Sequence, residues 1–466
     1  MSARFVSVDR DTPMMFPPSL QEWVDENDMV HFVIEAIDAM ELPELKINRR
    51  GSGHAQYPPR MMLALLIYCY AHGIMSSRKI ERATYRDIPV RFLTGNTHPD
   101  HDTINTFRKE NQELVGTVFA QTIRMAAKIG LVTVGTISVD GFHVKANASK
   151  FKNVRYDRAK ELETQLDLDI AELLSRAAAA DDMDDDDETD LPKEIARREV
   201  LREKVRKAQK DLERQAREKE HRRQEREDRN QDDDSPDGPG THSRRKKTRP
   251  NPEDAVPDND QQVNLVDPDS FLMRKSRRDG WQQAYNAQAV VDADGSQLIL
   301  GAYVAESATD RYEIEPAINA IDPQVGKPDT VLADGGYVST EVIKRFESQD
   351  DAPELYLAIS ADDHDIRRYD YRPPKEPRKK TIRDPRLLAM REKVRSDEGR
   401  KIYGKRKQTV EPVFGIIRSV LGLDQFLRRG YEAVNAEWTL VCTAYNMKRL
   451  WRLCTAGPQP IRLTGG

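Results

Sequence analysis

Two short runs of strand-forming residues, Thr136–Val139 and Thr330–Ala333, each stop at an aspartate followed by glycine. The aspartates are Asp140 and Asp334. Runs this short and this rich in β-branched or aliphatic residues read as strands, and a strand is stable only within a sheet. The stretch that follows the first run is a poor source of partners, because residues 151–260 hold 25 Lys+Arg and 32 Asp+Glu. So charged a stretch buries little apolar surface. A sheet containing both runs must therefore be assembled across a charged interruption.

The interruption has its own periodicity. Leu162, Leu166, Ile170 and Leu173 recur at helical spacing, as do Leu201, Val205, Ala208 and Leu212. The simplest reading is an antiparallel helical hairpin joined by the acidic run Asp181–Asp190, with a stripe that fades beyond Leu212. That acidic run lacks the turn chemistry of a calcium loop and reads as a linker. Residues 231–262 are rich in Asp, Pro and Gly, carry a basic cluster at Arg244–Lys247, and are expected to be disordered.

Residues 1–115 read as mostly helical, with starts signalled after Pro17 and Pro18 and at Pro58 and Pro59. Asp102 is the expected N-cap of a helix reaching Lys109, with Ile104 and Phe107 inward and Asn105, Arg108 and Lys109 outward. Several short helices ending in a basic one suggest a helix-turn-helix-like DNA-binding unit. A helix over 116–130 and a further strand-like run, Leu131–Val134, lead into Thr136. Beyond the interruption, Ala284–Asp292 and Gln297–Val304 form an expected hairpin turning at Asp294 and Gly295. A helix near Tyr312–Ile321, the strand ending at Asp334, a helix at Ser339–Glu347 and a strand at Glu354–Ile359 follow. Helices are expected at 385–396, 410–421 and 435–453. Strands alternating with helices predict an α/β sheet with ligands at strand ends.

A third carboxylate, Glu411, belongs with the two aspartates. Pro412 is tolerated only near a helix start, so Glu411 is expected in the first turn of the 410–421 helix. Val410, Val413, Phe414, Ile417 and Leu421 would be buried, leaving Arg406, Lys407 and Arg418 for phosphates. The whole chain carries −5, yet residues 371–430 hold 18 basic and 7 acidic side chains, a footprint for nucleic acid. Singly, an Asp before Gly is most often a turn residue, and a Glu in a first helical turn complements the dipole. Together, oxygen ligands from separate elements suit a pair of hard cations.

These residues resemble the DDE transposases of bacterial insertion sequences. The likeness is carried by Phe16–Val24, Pro58–Ala64, Asp140–Ser149, Ala333–Tyr337 and Val410–Gly415. Tyr403, Arg406, Glu411 and Arg418 are similar to the family's Tyr…Arg…Glu…Lys signature, with one extra residue between Arg406 and Glu411 and Arg418 in place of lysine. The resemblance implies an RNase H-like mixed sheet flanked by helices, an N-terminal all-α domain (1–115), and a helical-hairpin insertion (151–262) splitting the catalytic domain (116–150 and 263–466). It implies Asp140, Asp334 and Glu411 as catalytic ligands of two Mg²⁺ ions, with Mn²⁺ able to substitute. DNA contacts would come from Tyr403, Arg406, Lys407 and Arg418, and from Asn105, Arg108 and Lys109 of the N-terminal domain. The expected partners are element-end and target DNA and, for synapsis, a second copy of the chain. A nuclease that cuts without joining, or a domesticated DNA-binding protein, is the alternative.

Other residues have local roles. His98 and His101 have a metal-like spacing, but Pro99 between them suggests a turn. His143 would face away from Asp140 on a strand. Asp292 and Asp294 suit the hairpin, Asp310 an N-cap, and Lys145 either a solvated strand position or a place near DNA. Cys69, Cys442 and Cys454 include no C-x-x-C pair, no run of 18 apolar residues exists and no secretory signal is apparent, so a cytoplasmic protein is expected.

Overall fold

The computed structural model describes residues 19–43, 56–181, 191–232, 251–274, 280–359, 382 and 384–456. The expectations for Pro17 and Pro18, for the acidic run beyond Asp181, for Arg244–Lys247 and for residues 371–381 lie outside these residues. Two compact units form, residues 1–129 with 443–466 and residues 130–442.

The first unit is helical: α1 (Met29–Ala39), α2 (Pro59–Ala71), α3 (Ser77–Arg86), α4 (Ile88–Leu93), α5 (His101–Glu110) and α6 (Gln112–Lys128). Asp28 caps α1, accepting from the Val30 N–H at 2.8 Å. Helix α2 is buried on every side from Met62 to Ala71, as an apolar helix without a polar face must be. The cap of α5 is Asp100 rather than Asp102, accepting from the Thr103 N–H at 2.6 Å, so the helix starts two residues early. Helix α6 and the chain from Thr443 group with this unit, beyond the expected boundary at 115. Leu131–Val134 forms no strand.

The second unit contains β1 (Thr136–Lys145), β2 (Asn153–Arg155), α7 (Tyr156–Asp181), α8 (Leu191–Asp232), β3 (Gln262–Asn264), β4 (Phe271–Met273), β5 (Gln282–Asp292) and β6 (Ile299–Ala305). It continues through α9 (Ile314–Asn319), β7 (Thr330–Ala333), α10 (Thr340–Glu347), β8 (Glu354–Leu357), α11 (Pro385–Arg395), α12 (Asp397–Ser419) and α13 (Tyr431–Thr455), the last shared with the first unit from Thr443. The sheet order is β6–β5–β1–β7–β8, with β4 also beside β5. β5 runs antiparallel to both β1 and β6, while β7 joins β1 and β8 in parallel. A central strand with an antiparallel hairpin on one side and parallel crossover strands on the other is the expected RNase H-like mixed α/β arrangement. Val139, Val290, Val331 and Trp438 are among its fully buried residues.

Two expectations about the central elements are corrected. The chain does not turn at Gly141, because β1 continues through Asp140 to Lys145, paired throughout with β5. Nor does a helix begin at 410, because α12 starts at Asp397, where Ser396 Oγ accepts from the Gly399 N–H at 2.9 Å. Pro412 thus lies inside a helix, where it cannot donate to the Gln408 carbonyl. Gln297 replaces the missing donor, its Nε2 lying 3.0 Å from that carbonyl oxygen.

The insertion is an antiparallel pair. Glu163 faces Arg206 at 2.6 Å, Asp167 faces Arg202 at 3.1 Å, and Tyr156 Oη donates to Glu213 at 2.9 Å. Leu166, Ile170, Val205, Ala208 and Leu212 are buried in its seam, whereas Leu201 is exposed. The stripe continues to Ala216, and Arg222 pairs with Glu306, just past β6, at 2.7 Å. Strands β2 and β3 close the base of the pair. Residues 251–262 are structured, contrary to expectation, because Asn251 caps a turn at Pro252–Asp254 and Gln262 enters β3. Leu212→Ala should remove about 2–5 kcal/mol from this seam. Hydrogen exchange should then rise in α7 and α8 while β1 and β5 keep their protection.

Candidate active site

Strand alternation puts Asp140 and Phe142 on one face of β1. β7 pairs with β1 only as far as Leu332, opposite Ser138, and stops at Ala333. Asp334 therefore opens a turn beside the middle of β1. Its Oδ1 accepts from the Gly336 N–H at 2.7 Å and caps the turn Gly335–Tyr337. Helix α12 covers the Asp140 face, with Phe414 stacked on Phe142 at 5.0 Å and the Arg418 guanidinium 4.9 Å from the same ring. Two turns earlier on α12, Arg406 reaches both carboxylates. Its Nη2 lies 2.9 Å from Asp140 Oδ2 and 3.8 Å from Asp334 Oδ2.

Burial pushes the Asp140 carboxyl up to about 7, against the opposing pull of Arg406 and with the Asp334 charge adding to the rise. Burial acts against the Arg406 charge, but Asp140, Tyr403, Asp334 and Glu411 outweigh it and hold the guanidinium proton more firmly. Arg406 Nε is buried without a hydrogen-bond partner. Glu411 is exposed, three residues before Phe414 and four after Lys407, so these side chains share a helix face. Among the described residues no three His, Cys, Asp or Glu stand in a metal-ligating group. Asp140 and Asp334 already share one cationic group, and their hard oxygens suit a divalent cation.

Two family models match this chain: a transposase domain over residues 18–110 and the transposase DDE domain over residues 258–447. The chain carries a transposase DDE domain. Asp334 and Glu411 lie inside the second match, and Asp140 precedes it on the other side of the insertion. No curated relative and no solved structure matches the transposase.

Several expected contacts are placed differently in the transposase. Arg406 is buried against Asp140 and Asp334 rather than available to a phosphate, because the carboxylates are its partners. Lys407 is exposed, Tyr403 is half-buried, and Arg418 is exposed over Phe142. Arg108 points inward, donating to Tyr70 Oη at 2.7 Å and to the Met75 carbonyl, while Asn105 and Lys109 remain exposed. His98 stacks on Tyr85, and His101 contacts Glu81 at 2.8 Å. Asp294 ties the hairpin to the Thr136 N–H at 2.6 Å and to Lys405 at 2.7 Å. Lys145 pairs with Asp424. Asp310 is no N-cap. Its side chain accepts from Asn286 and Gln288, and the cap position of α9 is Glu313. Sequence reasoning missed Asn286 and Gln288, although two polar residues at alternate positions within the otherwise apolar run Ala284–Val291 were a readable signal.

The raised Asp140 carboxyl has a consequence for stability. The unfolded chain ionises this group near 3.9, whereas the native state keeps its proton up to about 7. Between those values the native state binds more protons, so this group's contribution falls as pH rises. Urea denaturation at about pH 5 and about pH 8 should show the metal-free wild type losing stability relative to Asp140→Asn over that interval.

Proposed function

We propose that this transposase binds the ends of its own element and catalyses metal-dependent DNA strand cleavage and strand transfer, with Asp140, Asp334 and Glu411 as the metal ligands. The observation that carries the reading is the convergence of Asp140 and Asp334, from two strands of one sheet, on a single buried cationic group. Bound divalent ions, Mg²⁺ or Mn²⁺, would supply Lewis-acid stabilisation of phosphate oxygens and activation of a water or a 3′-hydroxyl. The chain's own contribution is positional. Arg406 offsets the repulsion between two carboxylates held close together. A bound cation would offset the burial of Asp140 and favour its ionised form. Glu411 and Lys407 present a carboxylate and an ammonium on one exposed face of α12, where a phosphate and an ion would meet both.

DNA contacts follow from exposure. Near the acidic centre they fall to Lys407 and Arg418, with Tyr403 at the edge. In the helical unit, α3 is the stronger candidate than α5. Arg78, Lys79, Arg82 and Arg86 are exposed on α3, and none makes an ion pair with the described residues. Asn105 and Lys109 would add to that surface, whereas the buried Arg108 would only support it. Joining two ends calls for at least two copies in the working complex.

Asp140→Asn, Asp334→Asn and Glu411→Gln should each lower Mg²⁺-dependent cleavage of end-containing oligonucleotides by more than about a hundredfold, because a lost ligand costs more than a lost supporting residue. Full cleavage by any of them removes that residue from the ligand set. Products joined to a second DNA separate a transposase from a nuclease that only cuts. Lys79→Ala with Arg82→Ala should reduce the slope of log affinity against log salt by about 0.9 per lost phosphate contact. An unchanged slope would move the contact surface off α3.

A further inference from the structure

A polar network outside the three-carboxylate set borders the acidic centre. Asn286 and Gln288 are fully buried on β5 and, two residues apart, face one side of the sheet. Both donate to a single oxygen, each amide nitrogen lying 2.7 Å from Asp310 Oδ1. Gln288 is oriented from its other end, where Oε1 accepts from Tyr337 Oη. Tyr337 is fully buried and belongs to the turn that Asp334 caps. An amide oxygen can only accept, so the hydroxyl fixes which end of Gln288 faces Asp310. The chain Tyr337–Gln288–Asp310 therefore links the Asp334 turn to the loop after β6.

Two glycines make room for this carboxylate. A Cβ on Gly141 would stand 2.7 Å from both Asp310 Oδ1 and Gln288 Nε2. A Cβ on Gly336 would stand 3.3 Å from Asp310 Oδ2 and 2.9 Å from Asp334 Oδ1. Asp310 thus reaches between the backbone beside Asp140 and the turn of Asp334, and its charge acts on Asp140. Its Oδ1 is occupied by two amides, while no residue described hydrogen-bonds Oδ2. A carboxylate that merely anchored its loop would need no such approach to a second acidic group, where repulsion opposes it.

We propose that Asp310 is a fourth carboxylate of the acidic centre, its Oδ2 holding a divalent cation together with Asp334. The inference rests on the metal-dependent reading above. Asp310→Asn tests it cleanly, because the amide oxygen can still accept from Asn286 and Gln288 while the second anionic oxygen is lost. Mn²⁺ binding to the full-length chain without DNA, followed by electron paramagnetic resonance or calorimetry, is the readout. Affinity should fall on the order of tenfold or more in Asp310→Asn, with an unchanged melting temperature for the metal-free protein. Asp310→Glu, which keeps a carboxylate but strains the anchoring hydrogen bonds, should retain part of the affinity. Wild-type affinity in Asp310→Asn while Asp334→Asn loses binding would overturn the proposal and leave the three-carboxylate reading standing. Asp310→Glu binding no better than Asp310→Asn would also overturn it. Wild-type affinity in both Asp140→Asn and Asp334→Asn would remove the metal-dependent reading itself, and this inference with it.

Discussion

The guanidinium of Arg406 lies between two carboxylates that would otherwise repel each other. Asp140 comes from the middle of the central strand and Asp334 from the end of its parallel neighbour, so their separation is set by the sheet. Two partly buried negative charges in such a place are costly without a counter-charge, and one guanidinium can address both. The geometry of α12 follows from that need. The helix must pass over β1 with Arg406 turned inward and Phe414 seated on Phe142.

Holding α12 in that position uses contacts that its own sequence does not contain. Pro412 would leave a helix carbonyl without a donor, and the hairpin between β5 and β6 supplies one from Gln297. The same hairpin offers Asp294 to Lys405. An interior proline normally ends a helix, so the unbroken run from Asp397 to Ser419 depends on tertiary compensation rather than propensity. One position, Arg406, turns inward to the carboxylates. The next, Lys407, shares the exposed face of Glu411.

The insertion shows how a sheet tolerates a long interruption. It leaves after β1 and returns before β5, with β2 and β3 paired at its base, so both ends of the detour are brought together. Its own seam is narrow and its flanks are crossed by ion pairs such as Glu163 with Arg206. Neither feature requires anything of the sheet, which pairs β1 with β5 as if they were consecutive.

From sequence alone, the α/β pattern, the helical hairpin and the helical N-terminal region were legible, because periodicity, turn residues and short motifs are local properties. Asp334 at its strand end and the seam residues Val205, Ala208 and Leu212 belong to that class. Other features depended on distant partners. Gly141 reads as a turn until Asp310 and Gln288 arrive beside it and make any side chain there a collision. Arg108 reads as an outward basic residue until the Tyr70 hydroxyl offers it a buried acceptor. Arg406 reads as a phosphate contact until the sheet brings two aspartates to it. In each case local sequence specified the residue type, and only the tertiary structure decided what it would face, because burial and charge pairing are properties of the assembled neighbourhood.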